Sequence, residues 1–232
     1  MNRNGIILLT EDFVRQNLKG YDSGHDWWHI DRVRKLALFI NEEETLADPF
    51  ILEITALLHD SADSKFAGEN SEQGYLLICD FMDKCGMSEI RDQVLNVIKN
   101  VSFSIKNKSG DQDDPLLWVI QDADRLDAIG AIGIARAFNY GGFRNNMIYN
   151  PDVVISEENF KGNHQTGTSS TISHFYEKLL ILKYRMNTLT AKRLAIERHE
   201  FLEAFLKQFY KEWDFGTGLL RQRRKDPTGK YY

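Results

Sequence analysis

Apolar positions in this chain return every three or four residues through most of its length, the period of an amphipathic helix. Trp28, Val33, Leu36, Ala37 and Ile40 keep that spacing in a segment expected to begin near His25. Before it, Thr10 is placed to cap a first helix that runs to Gly20, a plausible C′ glycine. Asp48-Pro49 reads as an N-cap with proline at N1, opening a third helix over residues 50 to about 59. Ser71 starts a fourth, carrying Leu76, Leu77, Ile78, Phe81 and Met82 and ending at Gly86, and Ser88 caps a fifth through Val94, Val97, Ile98 and Val101. Asp114-Pro115 repeats the cap-plus-proline start for a helix with Leu116, Leu117, Ile120 and Ala123. Residues 128–140 are rich in small side chains and close at Gly141-Gly142. Two further helical stretches cover 172–186 and about 190–213. Strand alternation and internal repeats are both missing, so the expected fold class is all-α.

Two stretches break the period. Residues 104–114 are polar and contain Gly110, as a loop would. Residues 143–170 are rich in Asn, Ser, Thr and Gly, and a segment of that length inside a compact domain reads as a lid or an insert. The expected organisation is one domain over residues 1–232, with its core at about 20–213 and a basic tail from 214.

Composition narrows the class. A chain of 232 residues with 42% hydrophobic content can bury a substantial core. A net charge of −5 and a pI near 5.7 give no general pull toward nucleic-acid phosphates. The local exception is Arg221, Arg223, Arg224 and Lys225, which read as a solvated tail. Cys79 and Cys85 match neither a zinc pair nor a disulfide framework, so free thiols are the default. The apolar run at residues 6–9 is too short for a signal segment, and no stretch reaches a membrane span. A cytoplasmic protein is expected; the oligomeric state is left open.

Candidate chemistry gathers around a few histidines and aspartates. His59-Asp60 ends the apolar run Ala56-Leu57-Leu58, His29 lies upstream in Gly24-His25-Asp26-Trp27-Trp28-His29, and Asp124 lies downstream in Gln121-Asp122-Ala123-Asp124-Arg125-Leu126-Asp127. Taken singly, each has a plain alternative. His29 alone is an ordinary core or surface histidine, His59-Asp60 a helix end, and Asp124 a member of a solvated salt-bridge face with Asp122, Arg125 and Asp127. Together, two imidazoles and two carboxylates supply the donors and the formal charge that a divalent cation requires.

The order His29 … His59-Asp60 … Asp124 resembles the signature of the HD superfamily of metal-dependent phosphohydrolases. Four further stretches resemble a bacterial branch of small stand-alone HD hydrolases named after YedJ and YpgQ. They are residues 25–33, 59–66, the run from Gln121 through Gly130 to Gly133, and 174–180. The resemblance implies an all-helical HD fold and one divalent metal ion held by His29, His59, Asp60 and Asp124. Asp124 takes its place because the superfamily's last ligand lies in an Ala-Asp-x-Leu segment. Mn or Mg is favoured by the carboxylates, while the imidazoles also suit Fe, Ni or Zn.

Around that centre, Asp63 falls on the helical face of His59 and Asp60; in related enzymes an acidic residue at this offset orients the nucleophilic water or protonates the leaving group, and capping the next segment or pairing with Lys65 is its plain alternative. Asp127 is one turn past Asp124, suited to support a ligand or to bond substrate. His25 precedes His29 by one turn, and the branch often writes this stretch His-Asp-x-x-His, which makes it a substrate-site candidate. Arg32 offers a planar fork for phosphate, with an ordinary ion pair as its alternative. Lys65 and Lys178 are the cations expected to offset a polyphosphate. Trp27 and Trp28 offer base-stacking surfaces, or simply core. The expected activity is hydrolysis of a phosphate ester or anhydride on a nucleotide, with a nucleoside triphosphate pyrophosphohydrolase ahead of a 5′-nucleotidase-type phosphomonoesterase. A non-catalytic nucleotide-sensing HD module is the remaining alternative.

Overall fold

The computed structural model describes residues 2–18, 26–62, 71–101, 113–153 and 170–214. Every regular element among them is helical: α1 (Arg3–Asn17), α2 (Trp27–Glu44), α3 (Pro49–Leu58), α4 (Ser71–Lys84), α5 (Ser88–Asn100), α6 (Pro115–Asp127), α7 (Gly130–Phe143), α8 (Thr171–Glu177), a 3-10 turn (Leu179–Arg185) and α9 (Leu189–Trp213). No helix among the described residues is long and apolar enough to cross a membrane. The chain divides into two compact units, Met1–Asp127 with Tyr184–Leu194, and Ala128–Lys183 with Ala195–Tyr232.

The first unit is built around α3. Ile54, Thr55, Ala56, Leu57 and Leu58 are buried in succession, so the C-terminal half of this helix has no solvent face. It packs against α1, α2, α5 and α6. Asp48 caps it by accepting from Phe50 N at 2.9 Å and Ile51 N at 3.1 Å, with Pro49 at N1 where its missing N–H costs nothing. Each fully buried leucine or isoleucine here contributes roughly 1.5–3 kcal/mol of apolar burial. α3 therefore delivers His59, its C-cap residue, from a position fixed by core packing.

Several boundaries move from their sequence expectations. Asn2 caps α1, its side chain accepting from Gly5 N. Thr10 sits buried in the middle of that helix and returns its hydroxyl to Ile6 O at 2.8 Å, a bond open to any threonine four residues into a turn. α2 starts at Trp27 because Asp26 takes the cap, accepting from His29 N at 2.8 Å. Met87 holds the N-cap position of α5, while Ser88 turns its hydroxyl to Asp83 at 2.7 Å.

In the second unit α7 runs through Gly141 and Gly142 to Phe143. A Cβ at Gly141 would stand 2.1 Å from Thr171 Oγ1, so glycine there permits a close approach to α8 and is not a stop signal. The expected helix over 172–186 is interrupted: α8 ends at Glu177 and the chain tightens into the 3-10 turn. An aromatic core closes this unit. Phe175 and Phe205 stack at 5.6 Å, Phe138 meets both edge-on or tilted, and Tyr149 packs against Phe209, Tyr210 and Trp213. The expected lid falls mostly at 154–169, and the basic tail at 215–232; both lie outside the described residues.

Candidate metal centre

Three helices of the first unit bring the expected ligands to one place. α2 carries His29 in its first turn, α3 ends at His59 with Asp60 in the turn that follows, and α6 carries Asp124 near its last turn. α2 packs against both α3 and α6, and α3 against α6, so the meeting point is set by the packing. One donor atom each from His29, His59 and Asp124 lies within 4.8 Å of the others. Asp60 completes the ring: its Oδ2 is 3.3 Å from His29 Nε2 and its Oδ1 is 3.6 Å from His59 Nε2. Asp124 Oδ1 is 3.6 Å from His29 Nε2.

The backs of the two imidazoles decide what their fronts present. His59 Nδ1 is 2.8 Å from Ala56 O. A carbonyl only accepts, so Nδ1 carries the hydrogen and Nε2 is a bare lone pair. His29 Nδ1 is 2.8 Å from Asp127 Oδ2, and a carboxylate imposes the same tautomer. Both Nε2 atoms thus aim lone pairs at carboxylate oxygens. Both rings are buried, and among the described residues His59 Nε2 has no hydrogen-bond donor.

Lone pairs facing carboxylates in a buried site repel unless a cation lies between them. A proton satisfies one such pair, whereas a divalent ion satisfies all four donors together. At metal–ligand bonds of about 2.1 Å, donors around one ion lie roughly 3 Å apart when adjacent and roughly 4.3 Å when opposite. The separations of 3.3 and 3.6 Å fall in that range. The residues present therefore fit a divalent ion.

Behind His29 stands Asp127, 1% exposed at the C-terminal end of α6. That is a poor place for a carboxylate, since burial and the helix dipole both oppose its charge. Arg32 answers the charge: its Nε donates to Asp127 Oδ1 at 2.6 Å and its Nη2 to Oδ2 at 3.0 Å. The hydrogen bond to Asp127 is the main cause that holds the guanidinium above its ordinary pKa, against the opposing effect of burial. Asp127, expected to support a ligand or to bond substrate, lies against His29 Nδ1 and the Arg32 guanidinium. The fork of Arg32, expected to reach phosphate, is engaged on Asp127.

The other expectations divide. Asp63, Lys65 and His25 lie outside the described residues. Lys178 belongs to the second unit, where its backbone N–H donates to His174 O at 3.0 Å at the end of α8. Trp27 is half-buried against the apolar core with Arg15 stacked 3.6 Å over its ring, while Trp28 is 62% exposed.

Sequence reasoning left Asp122 unresolved, offering only a solvated ion-pair face. Its side chain is in fact fully buried. It accepts from Asn187 N, Asn187 Nδ2, Thr188 N at 2.7 Å and Thr188 Oγ1 at 2.9 Å, which are donors at the entrance to α9. Burial pushes its carboxyl above the ordinary range against the pull of these donors. A signal was available: Asp122 falls among Val119, Ile120, Ala123 and Leu126 on the buried side of α6.

Comparison with known proteins follows the same lines. The HD domain family model matches residues 27–129, the span from the first turn of α2 to just past Asp127. The protein YpgQ of Bacillus subtilis (strain 168) is 39% identical over 204 residues, covering 86% of this chain and 90% of YpgQ. The crystal structure of B. subtilis YpgQ in complex with ADP superposes with a TM-score of 0.69 at 36% identity, covering 90% of this chain and 98% of that one. An HD-superfamily hydrolase from Bacillus thuringiensis superposes with a TM-score of 0.72 at 39% identity, covering 92% and 100%.

Proposed function

This chain belongs to the HD superfamily, a family of metal-dependent phosphohydrolases, and from that membership we propose that its substrate is a nucleotide and its first-choice reaction the release of pyrophosphate from a nucleoside triphosphate. The observation that carries the reading is the pair of imidazole Nε2 lone pairs turned toward Asp60 and Asp124 by the bonds on their other faces. A nucleotide is favoured because ADP is bound in the YpgQ crystal structure. Mn or Mg is proposed for the centre on the strength of its two carboxylates.

A divalent ion so held supplies hydroxide near neutral pH and offsets charge on a phosphoryl oxygen. The chain's own part is to place and protect. His29 and His59, buried and locked in one tautomer, present two neutral donors, and Asp60 and Asp124 bring the negative charge. In the proposed reaction water adds in line to the α-phosphorus, its bond to the bridging oxygen breaks, and pyrophosphate leaves. Asp63 is proposed to handle the proton and Lys65 to meet phosphate charge, from their places shortly after His59.

The deciding experiment is turnover on a panel of nucleoside mono-, di- and triphosphates with Mn and with Mg. Pyrophosphate and orthophosphate are detected separately, with Asp60→Ala as control. Pyrophosphate that disappears in the variant is the expected result. Orthophosphate from monophosphates would replace the proposed reaction with a 5′-nucleotidase. No product from any nucleotide, with metal still bound, would overturn the catalytic reading in favour of a nucleotide sensor.

A further inference from the structure

The metal ligands account for His29, His59, Asp60 and Asp124, but not for the cost of burying Asp127. A carboxylate 1% exposed at a helix C-terminus is destabilising unless something holds it. Two groups do, and both come from the first turns of α2: His29 Nδ1 at 2.8 Å and the Arg32 guanidinium at 2.6 and 3.0 Å. His29 and Arg32 are three residues apart on one face of the helix, so a single carboxylate spans them. Asp26 fixes the start of that helix by accepting from His29 N.

Resting on the metal centre proposed above, the geometry points to Asp127 and Arg32 as a positioning pair. Asp127 fixes the Nδ1–H tautomer and ring plane of His29 and thereby sets how tightly the ion is held; Arg32 acts through Asp127, and its fork is not a phosphate ligand.

The two candidate roles of Arg32 predict different measurements. Both bonds to Asp127 use the Nε and Nη2 side of the guanidinium, so a phosphate would have only the Nη1 side of the fork while Asp127 is held. Turning the Nε and Nη2 side to a substrate would take from the buried Asp127 both of its bonds to Arg32. A residue behind a ligand changes metal affinity before substrate is present, whereas a phosphate ligand changes the KM for substrate and leaves metal affinity alone.

The test uses the full-length protein stripped of metal by chelator and titrated with Mn(II) at fixed pH, before any nucleotide is added. Asp127→Ala is expected to weaken Mn(II) binding by about 10–100-fold, the range for loss of a carboxylate that supports a ligand histidine. Arg32→Ala is expected to weaken it in the same direction and by less, and to add nothing further once Asp127 is gone. Asp127→Asn, which keeps the shape and one acceptor for His29, is expected to fall between, and it carries the test should the alanine variant fail to fold. Histidine side-chain nitrogen NMR of the metal-free protein supplies the signature that a loss of packing alone would not give. The wild type is expected to show His29 as the Nδ1–H tautomer, and the Asp127 variants a mixture. Wild-type Mn(II) affinity in folded Asp127 variants would overturn the proposal, and so would an Arg32→Ala protein with unchanged affinity and a raised KM. Because the metal titration needs no substrate, failure of the nucleotide panel and failure of this pair are read separately.

Discussion

Asp122 and Asp124 are two residues apart on α6, and their surroundings give them different work. Asp124, about a third exposed, turns an oxygen toward His29 Nε2, whereas Asp122 is sealed against backbone and side-chain donors of Asn187 and Thr188. Burial pushes the Asp122 carboxyl upward in pKa, which alone would make a neutral replacement harmless. The donors argue otherwise, since the backbone N–H groups of Asn187 and Thr188 can only donate. Asp122→Asn places an amide N–H2 among them, and we predict a loss of about 1–3 kcal/mol, the cost of buried donors left without acceptors. Chemical denaturation measures it, and an unchanged midpoint would show that burial, not hydrogen bonding, governs the site. The tryptophans separate by the same reasoning. Trp27, half-buried under Arg15, is predicted to cost about 3 kcal/mol or more on truncation to alanine, and exposed Trp28 within about 0.5 kcal/mol. Sequence could not tell the two apart, because neighbouring residues on a helix differ by only about 100° in direction and Trp28 keeps the apolar spacing of Val33 and Ile40.

At the scale of elements, the local signals that read correctly were those with a second residue to corroborate them. Asp48-Pro49 and Asp114-Pro115 each combine an acceptor side chain with a residue that cannot continue an upstream helix, and both start helices as expected. Thr10 and the Gly141-Gly142 pair failed because each has an equally good role inside a helix: a hydroxyl returned to Ile6 O, and room for Thr171. The start of α9 depends on a partner distant in sequence. Glu44, at the end of α2, accepts from Leu189 N at 3.3 Å and Thr190 N at 2.5 Å, a contact no local window contains. Burial is the largest single influence and pushes the Glu44 carboxyl up, but the Thr190 and Leu189 donors together with the charge of Lys192 outweigh it and hold its pKa below the ordinary value. A carboxylate depressed on folding stabilises the protein above its unfolded pKa, and the contribution is lost as pH falls through the folded pKa. Acid titration of stability should therefore show Glu44→Gln losing less than wild type as pH drops below the ordinary glutamate range of about 4.5. Parallel curves for the two proteins would remove Glu44 from the acid response.

For the molecule as a whole, the gathering of His29, His59, Asp60 and Asp124 was legible because their order along the chain is a family pattern. A supporting place for Asp127 was legible too, but not its partners, because Asp127 reaches His29 across ninety-eight positions and Arg32 across ninety-five. That support has a thermodynamic consequence. In the metal-free protein two imidazole Nε2 atoms and two carboxylates are gathered within 3.3–3.6 Å contacts, and crowding the two carboxylates there is a cost to the folded state. An ion that binds the folded chain and not the unfolded one removes that cost and adds RT ln(1 + [M]/Kd) of stability, about 2.7 kcal/mol at one hundred times Kd. We predict that Mn(II) raises the melting temperature of the first unit's fold and that chelator reverses the shift. Asp60→Ala, which removes one oxygen pair from the repulsive set, should melt at or above the wild type without metal and show a much smaller shift with it. Stabilisation of the metal-free protein by loss of a carboxylate separates a site strained to receive an ion from one that merely tolerates one. A metal-free Asp60→Ala protein less stable than wild type, with the Mn(II) shift intact, would show that the carboxylate serves the fold and not the ion.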